Sequence, residues 1–266
     1  ALRRARDDNA LSSHTSDRTT MNAPRHFVLS WLGLIWLTAG AAPPDAGAPC
    51  QPRHLGFDQK EAGWVHQPLS KLKRDTAYTL VQDGGRTGVL RASADRSASL
   101  YVAPIKPALK TPVTLSWDWK TDALVAGADN RQKDREDAPL RVVVAFDGDV
   151  AALPEEEQKR FSRAKNLAGR EVPYAVLMYI WTDQVPVGTV IPSAHTSQVK
   201  MLAVASGKAG LGAWQTVQRN LAEDYRRAYG AEPGPVVGVA VMTDTDNTGT
   251  QAVGQYAGLR IACPGR

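Results

Sequence analysis

Only two cysteines occur in 266 residues, too few for a cysteine-ligated zinc cluster or a dense disulfide scaffold. The five histidines fall at no metal-ligand spacing, and the motifs of serine nucleophiles and phosphate-binding loops are missing. No apolar run reaches the ~20 residues that a bilayer-spanning helix needs. Excess charge is scarce as well. Residues 1–41 hold five of the 32 Lys/Arg and three of the 27 Asp/Glu, which leaves the rest of the chain at 27 against 24. So weak a positive balance gives no support to nucleic-acid binding.

What is present begins with a leader. Ala1–Thr20 is polar, rich in Arg, Asp and Ser, and without apolar periodicity, so it is expected to be disordered or an upstream extension. Met21 opens a second beginning in which Arg25 precedes the apolar FVLSWLGLIWLTAG of Phe27–Gly40, with small residues at Ala39 and Ala41. That order predicts a signal peptide over residues 21–41. APPDAGAP at 42–49 reads as a linker. One domain over 50–266 remains, expected in the periplasm or outside the cell, with no stable membrane span after cleavage. In an oxidising compartment Cys50 and Cys263, at the two ends of that domain, are expected to form a disulfide.

Within the domain, short apolar alternations bounded by Gly, Pro, Asp and Asn recur about ten times, from Tyr78–Val81 to Tyr256–Ile261. Two helices are expected. Pro154–Leu167 places three glutamates first and Lys/Arg later, with Gly169 as its stop, and Asn220–Tyr229 runs from an Asn cap to Gly230. With no βαβ rhythm, this pattern predicts an all-β antiparallel sandwich of jelly-roll type with two short helices; a closed barrel is the alternative. Ala123–Pro139 lacks periodicity and reads as a long loop between inner strands.

The densest polar chemistry follows PVVGVAVMTDTDNTG, Pro235–Gly249. Its valines predict a central strand buried on both faces, and Asp244, Asp246 and Asn247 sit at the strand's exit, to hold a ligand or to cap a turn. Asp244, Asp246 and Thr248 have the spacing of calcium ligands, but Gln255 stands where a bidentate carboxylate belongs, so no cofactor is expected and calcium is the weaker alternative. Trp117 and Trp119 share one face of a strand and Asp118 takes the other; the indoles are either a platform for sugar rings or core. Tyr179 and Trp181 repeat that choice. Arg141 opens the apolar RVVVAF and needs a carboxylate, for which Asp137 and Asp244 are the candidates. Asp224, Tyr225 and Arg226 read as a surface or packing feature of the short helix.

The W-x-W strand, DREDAPLRVVVAF, LMYIW, EDYRRAYG and above all MTDTDNTG resemble the bacterial domain-of-unknown-function family number 3047 over roughly Phe57–Ile261. The resemblance implies an exported all-β domain; Glu136 stands where that family would have a second aspartate. The sandwich itself is similar to galactose-binding-like and carbohydrate-binding-module jelly rolls. The leading expectation is a non-catalytic module for a glycan, polyol or other small polar ligand, using Trp117, Trp119, Arg141, Trp181, Asp244, Asp246 and Asn247. A hydrolase or lyase with Asp137 and Asp244 as acid and base is the first alternative, and a structural envelope protein the second.

Overall fold

The computed structural model describes residues 50–70, 72–169, 171–193 and 196–264; the expected signal segment, the stretch before it and the linker lie outside them. Among the described residues thirteen strands form in chain order. They are β1 (Arg53–His54), β2 (Val65–Pro68), β3 (Ala77–Asp83), β4 (Arg86–Asp95), β5 (Ser99–Leu109), β6 (Thr114–Lys120), β7 (Arg141–Phe146), β8 (Ala175–Thr182), β9 (Val190–Pro192), β10 (Val199–Ser206), β11 (Gln215–Asn220), β12 (Val236–Met242) and β13 (Gln251–Ala262). One sheet runs β11-β6-β13-β4-β3 with β1 added to β13, and the other runs β2-β5-β12-β7-β8-β10-β9. This is the expected jelly-roll sandwich, with three short strands, β1, β2 and β9, beyond those legible in the alternation. Every pairing is antiparallel except β8 with β10, which run parallel. The exception arises because the chain reverses through β9 at the sheet edge and returns between β9 and β8.

The core lies between the sheets. Trp117 and Trp119 of β6 meet Tyr179 and Trp181 of β8, with ring centroids 5.2 Å apart for Trp117–Tyr179 and 6.2 Å for Trp119–Trp181. All four rings are at most 1% exposed. The two-residue period placed each aromatic pair on one face, and that face points inward. Burying this much ring surface is worth more to the fold than displaying it, so these indoles offer nothing to a sugar.

Cys50 and Cys263 are bonded, their Cα atoms 5.7 Å apart, where β1 pairs with β13 and brings Arg53 opposite Ile261. Helix α1 (Glu155–Ala168) carries three glutamates in its first turn and ends at Gly169, φ 64°. Helix α2 (Leu221–Tyr229) is capped by Asn220, whose side chain accepts from the amides of Ala222 and Glu223. Asp224 on α2 is buried and accepts from Tyr179 Oη at 2.9 Å and Arg219 Nε at 2.8 Å, which ties the helix to the sandwich. Among the described residues no helix is long and apolar enough to cross a membrane.

Candidate functional site

β12 and β7 lie side by side at the centre of the seven-stranded sheet, and neither alternates apolar with polar residues. Val142, Val144 and Phe146 from β7 and Val239 and Val241 from β12 enter the core. Their opposite faces carry Val143, Ala145, Ala240 and Met242, and Met178 of β8 and Met201 of β10 continue this floor across the sheet. A trough of about 660 Å³ runs over it. From Arg141 at one end of β7 to Asp147 at the other, the floor extends roughly 20 Å at ~3.4 Å per residue. Small residues along the centre, Gly238, Ala145 and Ala240, give it depth. Among the described residues no aromatic ring lines it, and Gln67, Lys73, Glu171 and Ser193 stand along its margins.

One end is charged and closely knit. Arg141, 3% exposed, donates from Nε to Asp244 Oδ1 at 2.8 Å and from Nη2 to Asp244 Oδ2 at 3.0 Å. Asp244 is therefore the partner that the arginine required, and it also accepts from the Ala138 amide at 3.0 Å. Nη2 reaches the Glu136 carbonyl as well. Burial pushes the Asp244 carboxyl up to about 6, against the pull of Arg141. Behind the pair, Tyr256 Oη accepts from the Arg141 amide at 3.2 Å and donates to the Met242 carbonyl at 2.5 Å. Burial holds this phenol well above its usual range, so it stays a neutral donor.

Asp137 serves the loop rather than the arginine. It accepts from the amides of Asn247 at 3.3 Å and Thr248 at 2.7 Å and from Thr248 Oγ1 at 2.7 Å. Asn247 in turn donates from its side chain to the Lys133 carbonyl at 3.2 Å. The turn after β12 and the long loop before β7 are thereby stitched together, and buried Asn130 adds two bonds, to the carbonyls of Glu136 and Asp137. Asp246 pairs with Lys73 at 2.5 Å.

The structure thus brings Arg141, Asp244, Asp246 and Asn247 together at the trough, with Asp137 behind them, and keeps Trp117, Trp119 and Trp181 away in the core. Oxygens of Asp137, Asp244 and Asp246 lie within 4.8 Å of one another and could present ligands to a cation. Two of the three are already matched by Arg141 and Lys73. Thr248, the third member of the calcium spacing, turns to Asp137 instead. Sequence reading missed the three methionines, Lys73 and Asn130. A signal for the methionines existed: each occupies the second apolar face of a strand whose first face is core.

An all-β jelly-roll sandwich with a trough across one sheet is the class that the geometry defines. The chain belongs to the family described as "Protein of unknown function (DUF3047)", whose model matches residues 62–260. Among curated proteins none matches it in sequence. Solved structures with a similar trace include the family 11 carbohydrate-binding module of the cellulosomal cellulase Lic26A-Cel5E of Clostridium thermocellum (8% identity, 80% of this chain and 95% of that one, TM-score 0.40). The family 11 module from Clostridium thermocellum in complex with a β-1,3-1,4-mixed-linked tetrasaccharide is another (9%, 79% and 95%, 0.40). A third is the xyloglucanase domain of NopAA from Sinorhizobium fredii with cellobiose (8%, 75% and 93%, 0.38). At these scores the likeness carries no functional argument.

Proposed function

We propose that this domain is an exported, non-catalytic module that binds a glycan or similar polyhydroxylated chain along the trough of the seven-stranded sheet. The observation that carries this reading is the pattern of the lining: an aliphatic strip with polar side chains on opposite margins, Gln67 on edge strand β2 and Ser193 beyond edge strand β9. A pyranose ribbon has apolar C–H faces and hydroxyl-bearing edges, and it matches a flat apolar floor between polar rims. The disulfide between the termini favours an oxidising compartment. Catalysis by Asp137 and Asp244 is the poorer reading, because the hydrogen bonds described above already engage both carboxylates.

Calorimetric titration with a panel of neutral, amino and acidic oligosaccharides tests it. Binding of at least one class is expected, and Ala145→Trp, which places an indole on the floor, should weaken it at least tenfold while leaving the melting temperature unchanged. A blank panel, or binding indifferent to Ala145→Trp, would contradict the proposal.

A further inference from the structure

We infer that the charged end of the trough is a subsite for a neutral carbonyl oxygen flanked by a methyl group, the acetamido substituent of an N-acetylated sugar. This rests on the trough being the glycan site and goes one step further, to the chemistry of the sugar it selects.

The argument starts from the arginine. Of its three nitrogens, Nε and Nη2 are taken by the Asp244 carboxylate and the Glu136 carbonyl. Among the described residues Nη1 faces sulphur alone, Met201 Sδ at 3.2 Å and Met178 Sδ at 3.8 Å. Thioether sulphur is a weak acceptor, so a guanidinium nitrogen of a side chain that is 3% exposed keeps most of its donor strength at a point where Arg141, Met178 and Met201 all line the trough. A buried donor left so poorly matched gains when a strong acceptor arrives.

Which acceptor follows from the surroundings. An anion is disfavoured: Arg141 is already neutralised by Asp244, Lys73 by Asp246, and Asp137 adds a third carboxylate within 4.8 Å of the other two. An ammonium brings only donors to a donor. A hydroxyl accepts as well, but it brings no apolar group of its own to the thioethers of Met178 and Met201. The carbonyl of an acetamido group accepts, and its methyl group finds adaptable apolar contact in Met178 and Met201. The carbonyl and methyl of an acetamido group supply both requirements at once.

Four soluble trisaccharides separate the possibilities: the N-acetylglucosamine trimer, its de-N-acetylated cationic analogue, cellotriose and a uronic-acid trimer. Titration into the whole wild-type domain should give the N-acetylated trimer at least tenfold tighter binding than any of the others, in keeping with a site built for one hydrogen-bonded group. Because substituting Arg141 risks the fold, the direct readout is the side-chain ¹⁵N resonances of Arg141 in the wild-type protein. They should shift with the N-acetylated trimer and stay in place with cellotriose. Equal affinity for cellotriose, or a preference for the cationic or uronic trimer, would overturn the subsite and leave the trough as a glycan site. Failure of every sugar would remove both proposals.

Discussion

At the scale of single residues, the pair Arg141–Asp244 sets the behaviour of the site. Its carboxyl is pushed up to about 6 by burial, above the ~3.9 of an unfolded chain. Between those values the native state holds the extra proton. The group's contribution to stability is therefore complete below about pH 4 and is lost as the pH rises through 6. Arg141→Met would leave Asp244 buried without its cation, which costs about 3–5 kcal/mol where the carboxylate is charged. It would also drive the carboxyl higher still. Urea denaturation should then show a larger loss for Arg141→Met relative to wild type at pH 7.5 than at pH 4.5. Equal losses at the two values would mean that the pair is not linked to folding in this way. Sequence reading reached this pair in part: an arginine opening a fully apolar strand demands a carboxylate, but two aspartates competed for it. The choice depended on a turn, 103 residues along the chain, that alternation does not place.

Among the strands and turns, the site depends on how closely β13 of one sheet passes the entry to β7 of the other. Gly254 in β13 sits where an added Cβ would lie 2.5 Å from Thr243 Oγ1, 2.6 Å from the Pro139 carbonyl oxygen and 2.9 Å from Leu140 Cδ2. Two of those contacts belong to groups that hold each other, since Thr243 Oγ1 donates to Pro139 O at 2.8 Å. Gly254→Ala should therefore push the Pro139–Arg141 segment away and destabilise the domain by roughly 1–3 kcal/mol, measured as a lower urea midpoint with an unchanged slope. A neutral Gly254→Ala would show that the contact is slack. The strands themselves were largely legible, because turn residues punctuate them and α2 carries a full set of cap residues. What could not be read was direction. Trp117, Trp119 and Trp181 fall on the correct faces by period, yet a period of two does not say which face meets the other sheet. The apolar second faces of β7 and β12 spoke for burial on both sides, and Val143, Ala240 and Met242 on that face are buried, yet the same residues floor the trough, a role that alternation does not announce.

For the whole molecule, the two sheets divide the work. The face each turns to the other holds every large aromatic ring of β6 and β8, and the outer face of the seven-stranded sheet holds every methionine of the described residues. That division allows one decisive measurement. With methionine methyl groups labelled with ¹³C and tryptophan indoles with ¹⁵N, the protein is titrated with the oligosaccharides of the panel. Ligand in the trough should shift the methyl signals of Met178, Met201 and Met242 together and saturably, while the indole signals of Trp117, Trp119 and Trp181 stay still. Saturable binding that leaves all three methyl signals unmoved would place the ligand elsewhere and contradict the account.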